Sequence, residues 1–190
     1  GASQTALNTQ YAHFSQSSDY DQASGQLADT HYMVRFGATH IVGAVANFAI
    51  GSSTASAFND TNPASSFTIT DTANTVLQCY WYVMDNITID AVKWFHGADT
   101  ATGDTTAAHL MAYTVDIGNG STSGDLSEGI VVAGHDANGT VTNTVTNAGH
   151  EQIYYQSLTI QSADVDAGKV ILFTFAADTV NSDYSINATI

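Results

Sequence analysis

The stretch that most constrains the fold runs from Ser157 to Ile190, SLTIQSADVDAGKVILFTFAADTVNSDYSINATI. At its centre, Val170 to Phe175 reads Val-Ile-Leu-Phe-Thr-Phe. This run is dominated by β-branched and aromatic side chains, is too short for a buried helix and has turn residues on both sides, which predicts a central strand. Upstream, Leu158 and Ile160 alternate with Thr159 and Gln161, and Asp166-Ala-Gly168 supplies a tight turn. Downstream, Tyr184, Ile186, Ala188 and Ile190 alternate with Ser185, Asn187 and Thr189, the period of a strand with one dry and one wet face. Three strands in succession, the most apolar in the middle, form the closing half of an antiparallel β-sandwich. The rest of the chain must supply the opposing sheet.

Strand-like segments recur upstream at short intervals. Tyr32 to Ile50 is apolar and interrupted by Gly37 and Gly43, which predicts two short strands. Phe67 to Thr70 begins another, and Val76 to Met84 is crowded with Tyr80, Trp81 and Tyr82. Ile87, Ile89 and Ala91 lead into Val92 to His96, and Gly97 to Thr106 reads as a loop. His109 to Asp116 and Gly129 to Ala133 are strands, Ile117 to Glu128 is a glycine-rich excursion, and Asn138-Gly139 is a hairpin turn. From Phe67 onward no helical period of any length competes with this pattern, and a helix over Tyr32 to Ile50 is opposed by Gly37, Gly43 and the β-branched residues. The expectation is an all-β, antiparallel, two-sheet, jelly-roll-like sandwich over residues 30–190. Residues 1–29 lack a sustained apolar period and read either as an extended arm or as a short helix around Ala6 to Phe14. As an arm they would order on a partner through Tyr11, Phe14 and Tyr20.

Three cations, Arg35, Lys93 and Lys169, stand against eighteen acids, for a net charge of −15. A phosphate backbone or an anionic membrane surface would be repelled, so nucleic acid and membrane are excluded as partners. Such a charge keeps a chain soluble at some cost in self-repulsion, which salt relieves. With Cys79 alone there is no internal disulfide and no cysteine-based zinc site, so the fold rests on packing and the thiol reads as a small core hydrophobe. No run approaches the length of a transmembrane helix, and no signal peptide is expected at Gly1-Ala-Ser3.

Reactive chemistry finds little support. The seven histidines show neither His-x-His nor His-x3-His spacing; only His96 and His109, flanking one loop, are placed to meet across a hairpin. Histidines gathered about an oligomer axis would make assembly pH-sensitive. Gly-x-Ser-x-Gly is absent, and with glutamate only at Glu128 and Glu151 a paired-carboxylate cleft is not expected. Calcium is the best ion, through Asp99 and Asp104 on one loop and Asp116 on another, yet none matches an EF-hand and Asp in a turn more often caps its own backbone. No cofactor, metal site or catalytic residue is assigned. Aromatics on an outer face would stack on sugar rings or be covered at a subunit interface, and Trp81 and Trp94 are the expected contact residues.

The runs Asp85-Asn-Ile-Thr-Ile-Asp-Ala-Val, His109-Leu-Met-Ala-Tyr-Thr-Val-Asp, Leu158 to Leu172 and Ser185-Ile-Asn-Ala-Thr-Ile together resemble the β-sandwich virion surface proteins of tailed bacteriophages, marine ones in particular. The resemblance covers Phe67 to Ile190 and consists of packing and turn patterns, with no chemical signature. It implies a non-enzymatic structural protein on the capsid surface: a decoration protein, homo-oligomeric and expected as a trimer, bound to the major capsid protein or another virion protein. The alternative is a tail-fibre or adhesin head that binds host glycans.

Overall fold

The computed structural model describes residues 12–15, 20–21, 26–27, 31–42, 48–50, 79–99, 103–115, 126–134, 144–149, 151–177 and 183–190. In chain order the strands are β1 (Ala12–Ser15), β2 (Tyr20–Asp21), β3 (Gln26–Leu27), β4 (His31–Val42), β5 (Phe48–Ala49), β6 (Trp81–Tyr82), β7 (Ile87–Thr88), β8 (Lys93–Asp99), β9 (Thr105–Val115), β10 (Leu126–Ala133), β11 (Val145–Thr146), β12 (Gln152–Ser157), β13 (Asp164–Val165), β14 (Lys169–Ala177) and β15 (Asp183–Thr189). Among the described residues there is no helix, and the strands pair antiparallel.

Two sheets form the body. The first has the order β1-β4-β15-β8-β12; the second has β10-β9-β14-β5, with β11 on β9 and β6 on β14. The principal strands β4, β5, β8, β9, β10, β12, β14 and β15 can be counted first to eighth. The first sheet then runs first-eighth-third-sixth and the second runs fifth-fourth-seventh-second. Successive strands change sheet except at the fourth and fifth, which pair with each other, and nested pairs close on one another, which is the double Greek key of a jelly roll. The all-β sandwich expected from the sequence is thus the fold observed.

The run at Val170 takes the central place. Every residue from Val170 to Ala177 is buried, so β14 is dry on both faces. One face looks across to the first sheet, where the Phe175 ring meets Tyr184 at 5.0 Å and Trp94 at 6.0 Å. The opposite face carries Val170, Leu172 and Thr174, in register with Tyr113, Met111 and His109 of β9, all buried. Burial of a Phe or Leu side chain contributes about 1.5–3 kcal/mol. β15 instead alternates, with Tyr184, Ile186 and Ala188 buried and Asp183 and Asn187 exposed.

Several expectations are displaced. The strand expected at Leu158 to Ile160 lies instead at Gln152–Ser157, and the short strand Asp164–Val165, paired with β7, comes between it and the turn. Leu158 is buried but gives its amide to Val92 O (2.9 Å), and Ile160 makes only an isolated bridge to Ala133. The turn at Asp166 to Gly168 is present, with Gly168 at φ +87° and the Lys169 amide on Asp166 O. Tyr32 to Ile50 does give two strands, His31–Val42 and Phe48–Ala49, but the first is long and passes through Gly37. Nor does Gly97 open a loop, since β8 continues to Asp99. A Cβ at Gly97 would lie 2.8 Å from Ser185 Oγ, so this glycine serves a close neighbour and not a turn. Of residues 1–29, Ala12–Ser15 is an edge strand on β4, and Tyr20–Asp21 pairs with Gln26–Leu27. Phe67 to Thr70, Gly43 and Asn138-Gly139 lie outside the described residues.

Candidate functional site

The chemistry-bearing side chains divide between the sandwich interior and its surface. Inside, the His96 ring of β8 lies between Trp94 (centroids 4.7 Å) and Tyr154 (5.0 Å), with both contacts stacked. Asn147 Nδ2 donates to Asp104 O at 2.8 Å, which turns its Oδ1 toward His96 Nε2 at 3.2 Å. Thr106 Oγ1 donates to Val145 O and so presents a lone pair to the same Nε2, 3.4 Å away. Both neighbours offer acceptors, so the hydrogen sits on Nε2. Nδ1 is buried and has no hydrogen-bond partner among the described residues. Burial pushes His96 down to about 4, against the opposing hydrogen bond to Asn147. A neutral ring without solvent access ties the two sheets together; it is not placed to act on a substrate.

His109 does not join it. β8 and β9 belong to different sheets, so the segment between them crosses the sandwich and is not a hairpin. His96 faces the shared core, whereas His109 stands opposite Thr174 on the far face of the second sheet, with Gly134 pressed against its ring. Thr174 Oγ1 and Tyr113 OH on that face are buried without hydrogen-bond partners among the described residues, and burial pushes the Tyr113 phenol up.

The predicted contact residues are sorted just as sharply. Trp94 is not a surface aromatic: it is fully buried against His96 and Phe175, because the parity of β8 turns even-numbered positions inward. Trp81 is half-buried and packed on the core, while Tyr80 and Tyr82 on the other face are exposed. Tyr11 lies outside the described residues, and of Phe14 and Tyr20 only the strand positions are described. Among the calcium candidates, Asp104 is buried and Asp99 is exposed at the end of β8, while Asp116 lies outside the described residues. No three His, Cys, Asp or Glu side chains gather about one point among the described residues. Cys79 is half-buried against the core; burial pushes its thiol up, opposed by a backbone hydrogen bond from Gly37.

The arrangement the sequence reading missed is the outer face of the first sheet. Register places Arg35, Thr189, Lys93 and Ser157 in one row across β4, β15, β8 and β12. The next row is Gly37, Asn187, Phe95 and Tyr155, followed by Ser185, Gly97 and Ile153, and then by Asp183 and Asp99. Glu151 precedes β12 at that acidic end, in the left-handed region at φ 55°. Thus two of the three cations occupy one end of a face whose other end is acidic. Between them stands an apolar centre: Ile153 is 83% exposed, Tyr155 52% and Phe95 39%, with the two rings 4.9 Å apart. The third cation, Lys169, is engaged elsewhere, where its Nζ donates to Thr114 Oγ1 and Thr114 donates in turn to Glu128. The alternation Lys93, Phe95, Gly97, Asp99 was visible in the sequence; its alignment with β12 and β15 was not.

No protein-family model matches this chain, and no curated protein matches it.

Proposed function

We propose that this protein is a non-enzymatic virion structural protein: a capsid decoration protein that binds the assembled shell as a homo-oligomer and contacts the major capsid protein or another virion protein. The observation that carries this reading is the contrast between interior and surface. His96 and Tyr113, whose titration burial perturbs, are sealed in the core, and the outer face of the first sheet offers exposed apolar and charged contact area with no cluster of three His, Cys, Asp or Glu among the described residues. Jelly rolls serve in viral capsids and in lectins, which makes the fold an argument by analogy only. The mechanism is mass action: a protein that binds several shell subunits at once stabilises the assembled shell and not its free subunits.

Electron microscopy of particles with and without the bound protein tests this, together with a variant lacking residues 1–29. That deletion removes the edge strand β1 but none of the eight principal strands. The expected result is a folded sandwich that no longer binds particles; normal particle binding would remove the arm from the mechanism. The exposed Phe95 and Tyr155 pair favours one second reading, an adhesin head that stacks sugar rings. Saturable binding on a glycan array, lost in Tyr155→Ala, would support it.

A further inference from the structure

We propose that the outer face of the first sheet is a two-fold interface on which a second copy of this chain docks with its strands reversed, Lys93 of each copy against the partner's Asp99 and each Phe95 ring over the partner's Gly97. This deepens the structural reading above by naming the occupant of that face.

Two copies carrying −15 each repel, so a face that meets its own copy must bring its few cations to acids. Here the same face holds both: Arg35 and Lys93 in one row, Asp99 and Asp183 in another, six positions apart along β8 and β15. At about 3.4 Å per residue the rows stand roughly 20 Å apart, beyond the Debye length of about 8 Å in physiological salt, so each end presents its own sign.

Consider a half-turn about an axis that lies in the interface and crosses the strands midway between the rows of residues 95 and 97. It carries position 93 onto 99 and 95 onto 97 in β8, 189 onto 183 and 187 onto 185 in β15, and 155 onto 153 in β12. The resulting contacts are complementary in kind. Lys93 meets an aspartate, the Phe95 ring meets Gly97 and the Ser185 hydroxyl packed beside it, Asn187 meets Ser185, and Tyr155 meets Ile153, the most exposed large apolar side chain among the described residues. A half-turn about an axis along the strands would instead set cation on cation. Facing sheets accept such packing at about 10 Å separation with strands within about 30° of each other. A three-fold contact joins two different patches, whereas this one patch carries both halves of the match, which is the mark of an isologous pair.

Sedimentation velocity of the full chain over a range of concentrations provides the test. The parent protein is expected to show a concentration-dependent monomer–dimer equilibrium. Lys93→Glu alone and Asp99→Lys alone should each weaken it at least tenfold, because each sets like charges together twice. An equimolar mixture of the two variants should recover association near the parent level, since the introduced glutamate of one chain then meets the introduced lysine of the other, while the unaltered Asp99 of the first meets the unaltered Lys93 of the second. The double variant should recover it within one chain. Misfolding cannot produce that recovery, and Tyr155→Ser should weaken association without moving the melting temperature. Monomers at every concentration, a trimer indifferent to Lys93→Glu, single variants that do not rescue one another, or glycan binding at Tyr155 by a strictly monomeric protein would each overturn the proposal. A dimer that behaves as described yet binds no particle would uphold this interface and remove the virion reading instead.

Discussion

The two sheets of this sandwich solve opposite problems. The second is closed on both sides of its central strand: β14 buries every side chain from Val170 to Ala177, and β9 beside it keeps Tyr113, Met111 and His109 out of water. The first is closed on one side only, so β8 and β15 alternate between core and solvent. A strand dry on both faces needs a continuous apolar run, and one dry on a single face needs only every second residue apolar. The difference separates the sheets: the central strand of the second is buried on both faces, while the first leaves its outer face in water, where the proposed interface lies.

The contrast is most exposed to test at Phe175, which faces the first sheet from the second. Phe175→Ala removes the ring that meets Trp94, His96 and Tyr184 and should cost about 3–5 kcal/mol in chemical denaturation. A loss below about 1 kcal/mol would mean that the sheets do not depend on each other there. Next in size is a pH effect. His96 takes up a proton less readily in the folded chain, at about 4 against its ordinary 6.5, so the unfolded chain binds the proton first as pH falls. Stability on this account is intact above about pH 6.5, declines between there and about 4, and levels off below, a loss on the order of 3 kcal/mol. His96→Gln should flatten that window in denaturant titrations at stepped pH, even if its stability is lower throughout.

A smaller effect of opposite sign is expected on the far face of the second sheet. The Tyr113 hydroxyl is buried without a partner among the described residues, so Tyr113→Phe should raise stability by about 1 kcal/mol. Destabilisation would show that the hydroxyl is satisfied in solution. The smallest effect belongs to the open face: Ile153→Thr should shift the unfolding free energy by less than about 0.5 kcal/mol, because Ile153 is already in water. A loss of about 2 kcal/mol or more, the size expected for a buried side chain, would erase the distinction between the sheets.

Legibility in the sequence followed the same division. The run at Val170 and the alternation at Tyr184 are local signals, and both strands stand where local pattern puts them. Trp94 was misplaced because alternation separates two faces without saying which is inward; only the other sheet decides that, and it placed Phe175 against the indole. His96 and His109 are near enough in sequence to meet across a hairpin, but β8 and β9 lie in different sheets, so nearness along the chain becomes distance across the core. Gly37 and Gly97 read as interruptions, yet glycine also fits a strand where a neighbour comes close, as Ser185 does at Gly97. The row that joins Arg35, Thr189 and Lys93 depends on pairing among three segments far apart in the chain, which no local pattern encodes.

The place of β15 has a consequence for how the molecule comes into being. It lies between β4 and β8, and Ile190 just beyond it exchanges backbone hydrogen bonds with Val34 in both directions. Until residues 183–190 have left the ribosome, β4 and β8 have no common neighbour, and the inner surfaces of two half-sheets wait uncovered. Completion is therefore slow, as for any architecture ruled by distant pairings. Losing those eight residues would take out the middle of a wall.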